Sequence, residues 1–596
     1  MQPKSRDKPL SQETVVPTRI SVAWYRARVL VLSVKRICLN AIRPVERHRI
    51  EDTPRFGVPV ASSSSLLYSS TEPEERTMEL GKIQNLRVVA RALNGLVIPS
   101  GQIFSFWRQV GKCSARRRFV LGRQLQEGCL VPAIGGGICQ LTNALYDLAL
   151  KAGAEIVERH PHSRIVPGSM GTTDRDATVA WNYIDLRFRA ADDWQLKVNL
   201  TQDRLEMGIY AIQPKATSIE RKETRSLRVV IDPKEHACGS CGKLDCHLHN
   251  LGLPGKNIRS TAFIVDDYWP EFDRYIQEQR KETDSLLSPM DGRRWKRLRY
   301  QWTPDGFADC RYATAMTLVR AFRTRRLASQ GAARQTALLD AAANLAEYLG
   351  SRIPFGADHL VVSQSLLPFL WKLGFLGGRT FDVLMTRQPM AELHDLLDTA
   401  LARHPERSLL GDFRAPSHIV DAETVGLAAA RRLVSPHRSL VSGDPRKVLV
   451  DWVMPEPKRW TPGDMVVFPG PTVSRKGAYE LRQIAKEMNM KIGLMGSELE
   501  GPDFWADIKT IRIEPGSNWL NKVALVIQPA LIEDRPRALL QAIASGCPVI
   551  ASKACGVGGL PGVTEISGPD VDQIGVAILR LGLVNRIENS HQFPNG

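Results

Sequence analysis

The sequence predicts a multidomain protein in which an α+β domain is followed by a Rossmann-like α/β region. The chain has 596 residues, 43% of them hydrophobic, which is enough for about three or four domains with cores of their own. In the first half, residues 140–200 contain a helical pattern that is followed by strand-like alternation. From Lys447 onward, short β-branched runs alternate with helical segments, which is typical of a parallel sheet.

The predicted organisation has six parts. They are a basic segment (1–59), a linker (60–80), an α+β domain (81–212), a Cys/His insert (226–255), a mostly helical region (256–444) and a Rossmann-like domain (445–590). Residues 60–80 are read as a linker because serines interrupt the hydrophobic periodicity. Within the α+β domain we predict helices at Ile83–Leu93 and Gln140–Ala152, then strands at Val179–Phe188 and Trp194–Leu200.

The N-terminal segment is basic. Residues 1–60 contain 12 Lys and Arg against 5 Asp and Glu, an excess of +7 within a chain total of +17. Ser21–Ile42 mixes apolar residues with four cations and predicts an amphipathic basic helix. Such a helix either lies on an anionic membrane surface or packs on the following domain. A nucleic-acid partner is disfavoured because no recognition motif accompanies the charge.

Targeting patterns are the next feature. No run reaches the roughly 18–20 uncharged apolar residues of a membrane-spanning helix. No stretch joins a charge-free apolar core to a small-residue cleavage site, as a signal peptide does. We therefore expect a cytoplasmic protein, with peripheral attachment to the inner face of the membrane as an open alternative. The ten cysteines are then expected as thiols or metal ligands rather than disulfides.

A glycine-rich turn precedes the second predicted helix. The sequence IGGGICQ places Cys139 at the helix start, where exposed amides and the helix dipole favour a thiolate. His160 and His162 follow one helix later. Asp174 or Asp176 can orient one of these imidazoles. A cysteine, a histidine and a carboxylate predict nucleophilic catalysis; the alternative is a small residue at a turn that binds an anion without catalysis.

The same residues carry a resemblance to a known family. Gly81–Tyr210 contains VVARALNG, PSGQIFSFW, GGGICQLTNALYDLALKAG, ERHPHS and DATV in the order that the VanW family shows. That family is associated with the bacterial cell envelope and with glycopeptide-resistance clusters, and some multidomain members are regarded as L,D-transpeptidases. The resemblance implies that Cys139 is a nucleophile with His160 or His162 as its base, acting on a peptidoglycan stem peptide.

The insert after this domain is rich in cysteine and histidine. HACGSCGKLDCHLH contains three thiols and three imidazoles in fourteen residues, and its C-x2-C step is a recurrent metal knuckle. We predict a structural zinc site; an iron–sulfur cluster and a metal-free polar loop are the alternatives. The predicted ligands are Cys238, Cys241, Cys246 and His249, with His236, His247 or the distant Cys310 as alternatives for the fourth position.

The C-terminal domain offers a candidate phosphate site. Arg475 and Lys476 follow a buried strand and precede a helix, where cations are well placed to meet a diphosphate. Glu533 and Arg537 follow a later strand, at the edge where open α/β sheets bind ligands.

This region resembles the nucleotide-sugar-binding half of retaining B-type glycosyltransferases, which show a G-R-x4-K-G element. Gly470, Lys476 and Gly477 keep that spacing, whereas Pro471 replaces the arginine and Arg475 is the alternative source of charge. The resemblance implies that these residues, together with Arg537, bind the donor nucleotide sugar.

The family also shows an E-x7-E element. Glu533 is its first acid, and Gln541 stands where the second acid is expected. The resemblance implies that Glu533 meets the donor sugar and that Gln541 can hydrogen-bond the ribose. The region before this domain is then expected to hold the acceptor, an envelope glycan or a lipid-linked molecule.

Three functions follow from the sequence. The first is a glycosyltransferase fused to a VanW domain. The second is a binding scaffold with a degenerate transferase half, because Pro471 and Gln541 depart from the pattern. The third is a peptidoglycan transpeptidase-like enzyme that uses Cys139.

Overall fold

The computed structural model describes residues 19–51, 55–68, 73–126, 129–162, 164–165, 175–213, 229–230, 260–327, 331–441, 443–514 and 518–583. The chain divides into two compact units. The first comprises Met1–Ser260, Pro354–Asp358 and Leu373–Arg379, and the second comprises Thr261–Ile353, His359–Lys372 and Thr380–Gly596.

The first unit is an α+β structure. Its helices are α1 (Arg19–Ile42), α2 (Pro73–Leu93), α3 (Phe106–Val110) and α4 (Cys139–Lys151). Its strands are β1 (Arg49–Ile50), β2 (Val58–Leu66), β3 (Leu96–Ile98), β4 (Ile103–Ser105), β5 (Leu121–Gln126), β6 (Cys129–Ile134), β7 (Glu155–Glu158), β8 (Arg164–Ile165), β9 (Arg187–Arg189), β10 (Trp194–Leu200), β11 (Arg204–Ala211) and β12 (Val229–Val230).

A five-stranded antiparallel sheet in the order β1-β3-β10-β11-β2 forms the centre of this unit. Strands β4, β9 and β7 form a second antiparallel sheet, β5 and β6 form a hairpin, and β8 pairs with β12. Helices α2 and α4 contact the large sheet, and their apolar faces share one core with it that includes Leu86, Leu145 and Trp194.

The linker predicted over residues 60–80 is wrong. Val58–Leu66 is strand β2, and α2 already begins at Pro73. The register of β2 with β11 runs from Val58 opposite Ala211 to Leu66 opposite Arg204. Main-chain hydrogen bonds hold such a strand whatever its side chains are, so small serines at the edge of a sheet form a strand that hydrophobic periodicity does not reveal.

The predicted basic helix is present as α1. Arg36 forms an ion pair with Glu158, and Asn40 accepts a hydrogen bond from Arg187 at 2.8 Å. One face of α1 therefore packs on the first unit. Among the helices of the described ranges, none has the length and apolar character needed to span a membrane.

The second unit is α/β. Its helices are α5 (Pro270–Gln279), α6 (Thr314–Arg325), α7 (Ala332–Gly350), α8 (Leu367–Lys372), α9 (Met390–Arg403), α10 (Ser417–Ala429), α11 (Arg438–Val441), α12 (Ala478–Glu487), α13 (Arg537–Ala544) and α14 (Val571–Arg580). The remaining strands are β13 (Ser260–Ile264), β14 (Ser285–Ser288), β15 (Asp309–Tyr312), β16 (Ala357–Ser363), β17 (Thr380–Leu384), β18 (Arg432–Ser435), β19 (Lys447–Leu449), β20 (Met465–Phe468), β21 (Lys491–Leu494), β22 (Lys509–Arg512), β23 (Val523–Gln528), β24 (Val549–Ser552) and β25 (Val563–Ile566).

These strands form two parallel sheets. One has the order β15-β14-β13-β16-β17-β18-β19 and the other the order β22-β21-β20-β23-β24-β25. Counted from the first strand of each sheet, both begin 3-2-1-4-5-6, which is the doubly wound order of Rossmann folds. The Rossmann-like prediction for the C-terminal region is therefore confirmed.

The prediction of a mostly helical region over residues 256–444 is wrong, because strands β13 to β18 lie within it. All four residues of β14 are buried, as are the last four of β16. Strands covered on both faces read as short apolar runs without alternation. Periodicity alone does not separate such runs from buried helix.

Candidate functional site

The start of α4 is shaped by the glycine-rich turn. Gly135 and Gly137 have φ angles of 85° and 91°, a left-handed conformation that strongly favours glycine. The turn brings the chain into α4 so that Cys139 is its first residue. The Cys139 side chain is partly exposed and lies 3.8 Å from the hydroxyl of Thr178, measured from Sγ to Oγ1.

Two polar side chains of α4 hold the segment that faces Cys139. The Thr142 hydroxyl donates to the carbonyl of Ala177 at 2.6 Å, and the Asn143 side-chain oxygen accepts from the Ala177 amide at 2.8 Å. Asp176 and Thr178 flank Ala177 directly. The helix that carries the thiol therefore also fixes the position of its carboxylate and hydroxyl neighbours.

His162 connects the thiol to Asp176. The Nδ1 atom of His162 lies 2.6 Å from Oδ1 of Asp176, and the His162 backbone amide donates to Oδ2 at 2.7 Å. The His162 imidazole also acts on Cys139, because its charge and hydrogen-bonding capacity lower the pKa of the thiol. Asp176 is buried, so His162 pairs with a buried carboxylate and also influences the thiol electrostatically.

The electrostatics favour a charged pair. Burial, the largest influence, raises the pKa of the Cys139 thiol, but the hydrogen bond and charge of His162 and the hydroxyl of Thr178 bring its pKa below the usual value. Burial likewise lowers the pKa of His162, but Asp176 and Cys139 together raise it to about 10. This arrangement favours a thiolate beside an imidazolium more than an isolated cysteine and histidine would, and the thiolate is the form in which a cysteine attacks carbonyl carbon.

The structure separates the two candidate histidines. His160 lies 3.4 Å from the carboxylate of Glu158, measured from Nε2 to Oε1, and its side chain is about half exposed. His162 is the histidine whose charge lowers the pKa of the Cys139 thiol. Of the two candidate carboxylates, Asp176 is the one that contacts His162. Asp174 lies outside the described residues.

A second set of polar groups lies in the six-stranded sheet of the second unit. The loops after β20 and β23 enclose a cavity of about 380 Å³. These two strands are adjacent in the sheet although β21 and β22 intervene in the chain, so the cavity lies at the topological switch point, where doubly wound folds bind ligands. The cavity brings together four predicted residues, namely Gly470, Arg475, Lys476 and Glu533.

Lys476 and Glu533 interact inside this cavity. The ammonium of Lys476 lies 3.0 Å from Glu533 Oε2 and donates to the Ile532 carbonyl at 2.7 Å. The other oxygen of Glu533 accepts from the Arg535 amide at 3.0 Å. The carboxylate is therefore held in one orientation at the cavity wall.

Arg475 is a second buried cation of the cavity. Its side chain lies 5.2 Å from the ring centroid of Phe413, measured at Cζ, and only 7% of the residue is exposed. Burial lowers the pKa of Arg475, although a guanidinium stays charged in proteins. A buried cation at a cavity wall favours an anionic ligand.

Gln528 is a cavity residue that the sequence reasoning missed. It ends β23, lines the cavity and is only 1% exposed. Its Nε2 atom has no hydrogen-bond partner within the described part of the chain. A Cβ at position 470 would lie 2.8 Å from this atom, so Gly470 leaves room for the amide. The sequence feature that could have indicated Gln528 is that it is the one polar residue at the end of the apolar run VALVIQ.

Three residues predicted to bind the donor have other partners. Arg537 makes two hydrogen bonds of 2.7 Å to Glu271, and Gln541 donates to the Glu456 carbonyl at 2.7 Å. Neither is among the residues that line the cavity. Gly477 has a φ of 79°, and a Cβ there would lie 2.2 Å from the Pro529 carbonyl oxygen. Its role is in the turn, because only glycine fits that conformation so close to the backbone.

The switch point of the seven-stranded sheet is filled by the chain's own groups. Asp266 follows β13, and its carboxylate accepts from Arg320 at 2.8 Å and from Ser365 at 3.1 Å. At this switch point the Asp266 carboxylate is thus already paired within the chain, whereas the switch point of the six-stranded sheet has a polar cavity.

The predicted metal ligands Cys238, Cys241, Cys246 and His249 lie outside the described residues. Within the described ranges, no group of three or more His, Cys, Asp or Glu side chains is arranged to hold a metal ion. Cys310, the alternative fourth ligand, lies in β15 and donates to the Pro304 carbonyl at 3.6 Å.

The chain thus combines an α+β domain that carries a thiol, an imidazole and a carboxylate with a doubly wound α/β unit that has a charged cavity at its switch point. Residues 81–210 match the family model described as VanW like protein. The chain therefore contains a VanW domain, as its sequence motifs predict.

Two relatives match this domain. The Vancomycin B-type resistance protein VanW of Enterococcus faecalis is 32% identical over 158 residues, 25% of this chain and 57% of the relative. The uncharacterized protein YoaR of Bacillus subtilis is 34% identical over 105 residues, 18% of this chain and 34% of the relative. The chain thus spans about half of the first relative's length and a third of the second's.

Solved structures are similar to part of the chain. An α,α-trehalose-phosphate synthase (UDP-forming) from Burkholderia vietnamiensis matches with a TM-score of 0.31 and 12% identity, over 55% of this chain and 93% of that one. A sucrose-phosphate synthase from Thermosynechococcus elongatus matches with a TM-score of 0.33 and 12% identity, over 55% and 91% of the two chains.

Proposed function

We propose that this protein is a glycosyltransferase that moves a sugar from a nucleotide-sugar donor to a cell-envelope glycan or a lipid-linked acceptor. The observation that carries the proposal is the cavity at the switch point between β20 and β23. Two cations and a carboxylate, Arg475, Lys476 and Glu533, meet there at the C-terminal ends of parallel strands.

Each of these groups has a role suited to sugar transfer. Arg475 and Lys476 neutralise the diphosphate of the donor, whose charge grows as the sugar leaves. Glu533, held by Lys476 and the Arg535 amide, accepts hydrogen bonds from the donor sugar's hydroxyl groups. Retention of the anomeric configuration is the stereochemistry we expect, and proton NMR of the product measures it.

The test incubates the purified full chain with UDP-, GDP- and ADP-sugars and measures nucleotide binding by calorimetry and donor hydrolysis by nucleotide release. We expect one donor class to bind and turn over. Lys476→Ala should weaken its binding at least about tenfold, because a charge-assisted phosphate contact contributes roughly 1.5–3 kcal/mol. The matched control is Lys491→Ala, which removes a lysine of β21 that pairs with Asp464 and does not line the cavity.

Two results would contradict the proposal. Absence of binding and hydrolysis for every donor would refute it. Tight nucleotide binding without turnover would instead support the binding scaffold as the function of this unit.

A second candidate function belongs to the first unit. The lowered pKa of Cys139 beside His162, which pairs with Asp176, suits acyl transfer by a thiolate, with a peptidoglycan stem peptide as the substrate class. Cys139→Ala should then change the cross-link composition of cell-wall peptides, measured by chromatography of muropeptides. An unchanged composition would contradict this function while leaving the glycosyltransferase proposal intact.

A further inference from the structure

Helix α1 has one face fixed on the first unit. The Ser33 carbonyl accepts from Asn182, Arg36 pairs with Glu158, and Asn40 accepts from Arg187. Positions 33, 36 and 40 recur at helical spacing and therefore form one stripe along the helix. This stripe determines which side of α1 faces away from the unit.

Large apolar side chains cover the opposite side. Counting 100° per residue, Val34 lies at about 160° and Val31 at about 220° from Arg36. Trp24 is 75% exposed and Val31 is 67% exposed. The exposed apolar residues on this side are Ile20, Trp24, Leu30, Val31, Val34, Ile37 and Ile42, whereas the exposed Leu32 and Leu39 lie at about 320° and 300° and are not part of it. A soluble surface seldom exposes such a row of large apolar side chains without a partner.

Cations border this apolar face. By the same count, Arg26 lies at about 80° from Arg36, and Lys35 and Arg28 lie at about 260° and 280°. All three are exposed. The 24-residue helix contains neither Asp nor Glu, so nothing on α1 neutralises them.

We propose that this face of α1 lies in the surface of an anionic lipid bilayer. The apolar side chains enter the boundary between headgroups and acyl chains, and Arg26, Arg28 and Lys35 meet lipid phosphates. An apolar face bordered by cations is the arrangement of helices that lie in a membrane interface. A second copy of the chain fits this face less well, because two such helices would bring unneutralised cations together.

The experiment measures co-sedimentation of the full-length protein with lipid vesicles. We expect binding to vesicles of phosphatidylcholine mixed with phosphatidylglycerol, weaker binding in high salt, and little binding to phosphatidylcholine alone. The charge variant combines Arg26→Glu, Arg28→Glu and Lys35→Glu and should weaken binding by about tenfold or more. Its control combines Lys458→Glu, Lys509→Glu and Lys553→Glu, which change the net charge equally at exposed positions outside α1 and should bind nearly as wild type.

A second variant tests the apolar face. Trp24→Ser, Val31→Ser and Val34→Ser together should also weaken binding, because they remove the side chains that enter the bilayer. The control is the combination of Leu298→Ser, Val576→Ser and Leu579→Ser, which truncates exposed apolar residues of the second unit. Circular dichroism and the melting midpoint establish that each variant is folded.

Three outcomes would overturn the proposal. They are absence of binding to the anionic vesicles, unchanged binding in both folded α1 variants, and a dimer in sedimentation velocity that the apolar variant converts to a monomer. The last outcome would assign the face to a second copy of the chain. None of these outcomes depends on nucleotide binding, so the proposal stands or falls independently of the proposed transferase function.

Discussion

Opposing influences set the state of the Cys139 thiol. Burial disfavours the thiolate, whereas His162 and Thr178 stabilise it, and the pKa of the thiol falls below its usual value. The carboxylate of Asp176 keeps the neighbouring imidazole protonated, with a pKa of about 10 for His162. The reactivity of Cys139 therefore depends on two side chains that are distant from it in the sequence.

Alkylation kinetics test this dependence. The thiolate is lost only as the pH falls through the lowered pKa of Cys139, so iodoacetamide should react rapidly at pH values below the usual thiol range. In His162→Ala the effect of burial dominates, the pKa rises, and the rate at pH 7 should fall about tenfold or more, because each pKa unit is a factor of ten in thiolate. A Cys38→Ser background removes the exposed thiol of α1.

The matched control for this prediction is His160→Ala, which removes the histidine that lies beside Glu158 rather than Cys139. It should keep the wild-type profile of rate against pH. Identical profiles for His162→Ala and wild type would contradict the thiolate–imidazolium assignment.

Gln528 provides a second prediction for a single residue. Its buried amide lacks a protein partner for Nε2 within the described ranges, and an unpaired buried donor costs roughly 1–3 kcal/mol. Gln528→Leu removes the donor at similar volume, so the melting midpoint should stay equal or rise while nucleotide binding weakens severalfold. Calorimetry and thermal melting measure both effects, with the exposed Gln483→Leu of α12 as the control. Unchanged nucleotide affinity would contradict a ligand-binding role for Gln528.

The sequence predicted the site residues unevenly. It identified Cys139 because three glycines before a clear helix indicate where that helix begins. It left His160 and His162 open, because the choice depends on Asp176. The position of Asp176 is set through its neighbour Ala177, whose amide donates to Asn143 of α4, 34 positions earlier in the chain. The sequence did not predict Gln528 as a site residue, because strands commonly end in a polar residue and nothing else in the sequence distinguishes this one.

At the scale of elements, an ion pair joins α5 to α13. Arg537 is the first residue of α13, and both its terminal nitrogens contact Glu271 in the first turn of α5. The Glu271 side chain is fully buried and also accepts from the Val453 amide at 3.0 Å. This pair explains why Arg537, predicted to bind the donor, instead joins two helices of the α/β unit.

Glu271→Gln should destabilise the α/β unit. The substitution removes the counter-ion of Arg537, whose side chain is 35% exposed, and the loss of hydrogen bonds to a charged group costs roughly 1.5–3 kcal/mol. We therefore expect a clearly lower midpoint of urea unfolding, followed by circular dichroism. The control is Asp507→Asn, which breaks the exposed pair with Arg482 and should leave the midpoint almost unchanged. Equal midpoints for both variants would show that the buried pair does not stabilise this unit.

Helices and strands were predictable where the hydrophobic pattern of the sequence matches the burial of the side chains. From Lys447 onward, turn residues separate the β-branched runs, and one such run forms β20 at Met465–Phe468. The strand β2 was not predictable from hydrophobicity, because main-chain pairing with β11, rather than apolar side chains, holds its serines in a strand. Pairing between strands depends on distant sequence, which local patterns do not contain.

For the whole molecule, the two units have separate interiors. One core cluster contains Leu86, Leu145 and Trp194 of the first unit. Two others contain Val467 and Phe468 and lie in the second unit. Each candidate site is built by residues of a single unit, with Cys139 in the first and Lys476 in the second. The overall charge of +17 is also uneven, because residues 1–60 contribute an excess of +7.

Separate interiors predict that the two sites respond independently to substitution. Cys139→Ala should leave nucleotide affinity within about twofold of wild type, and Lys476→Ala should leave the alkylation rate of Cys139 within the same range, because substitutions that share no partners usually add within roughly 0.3–0.5 kcal/mol. The double variant should then show the product of the two single effects in both assays. If nucleotide instead changes the Cys139 alkylation rate severalfold, and Lys476→Ala abolishes that change, the sites are coupled and the two reactions belong to one regulated process.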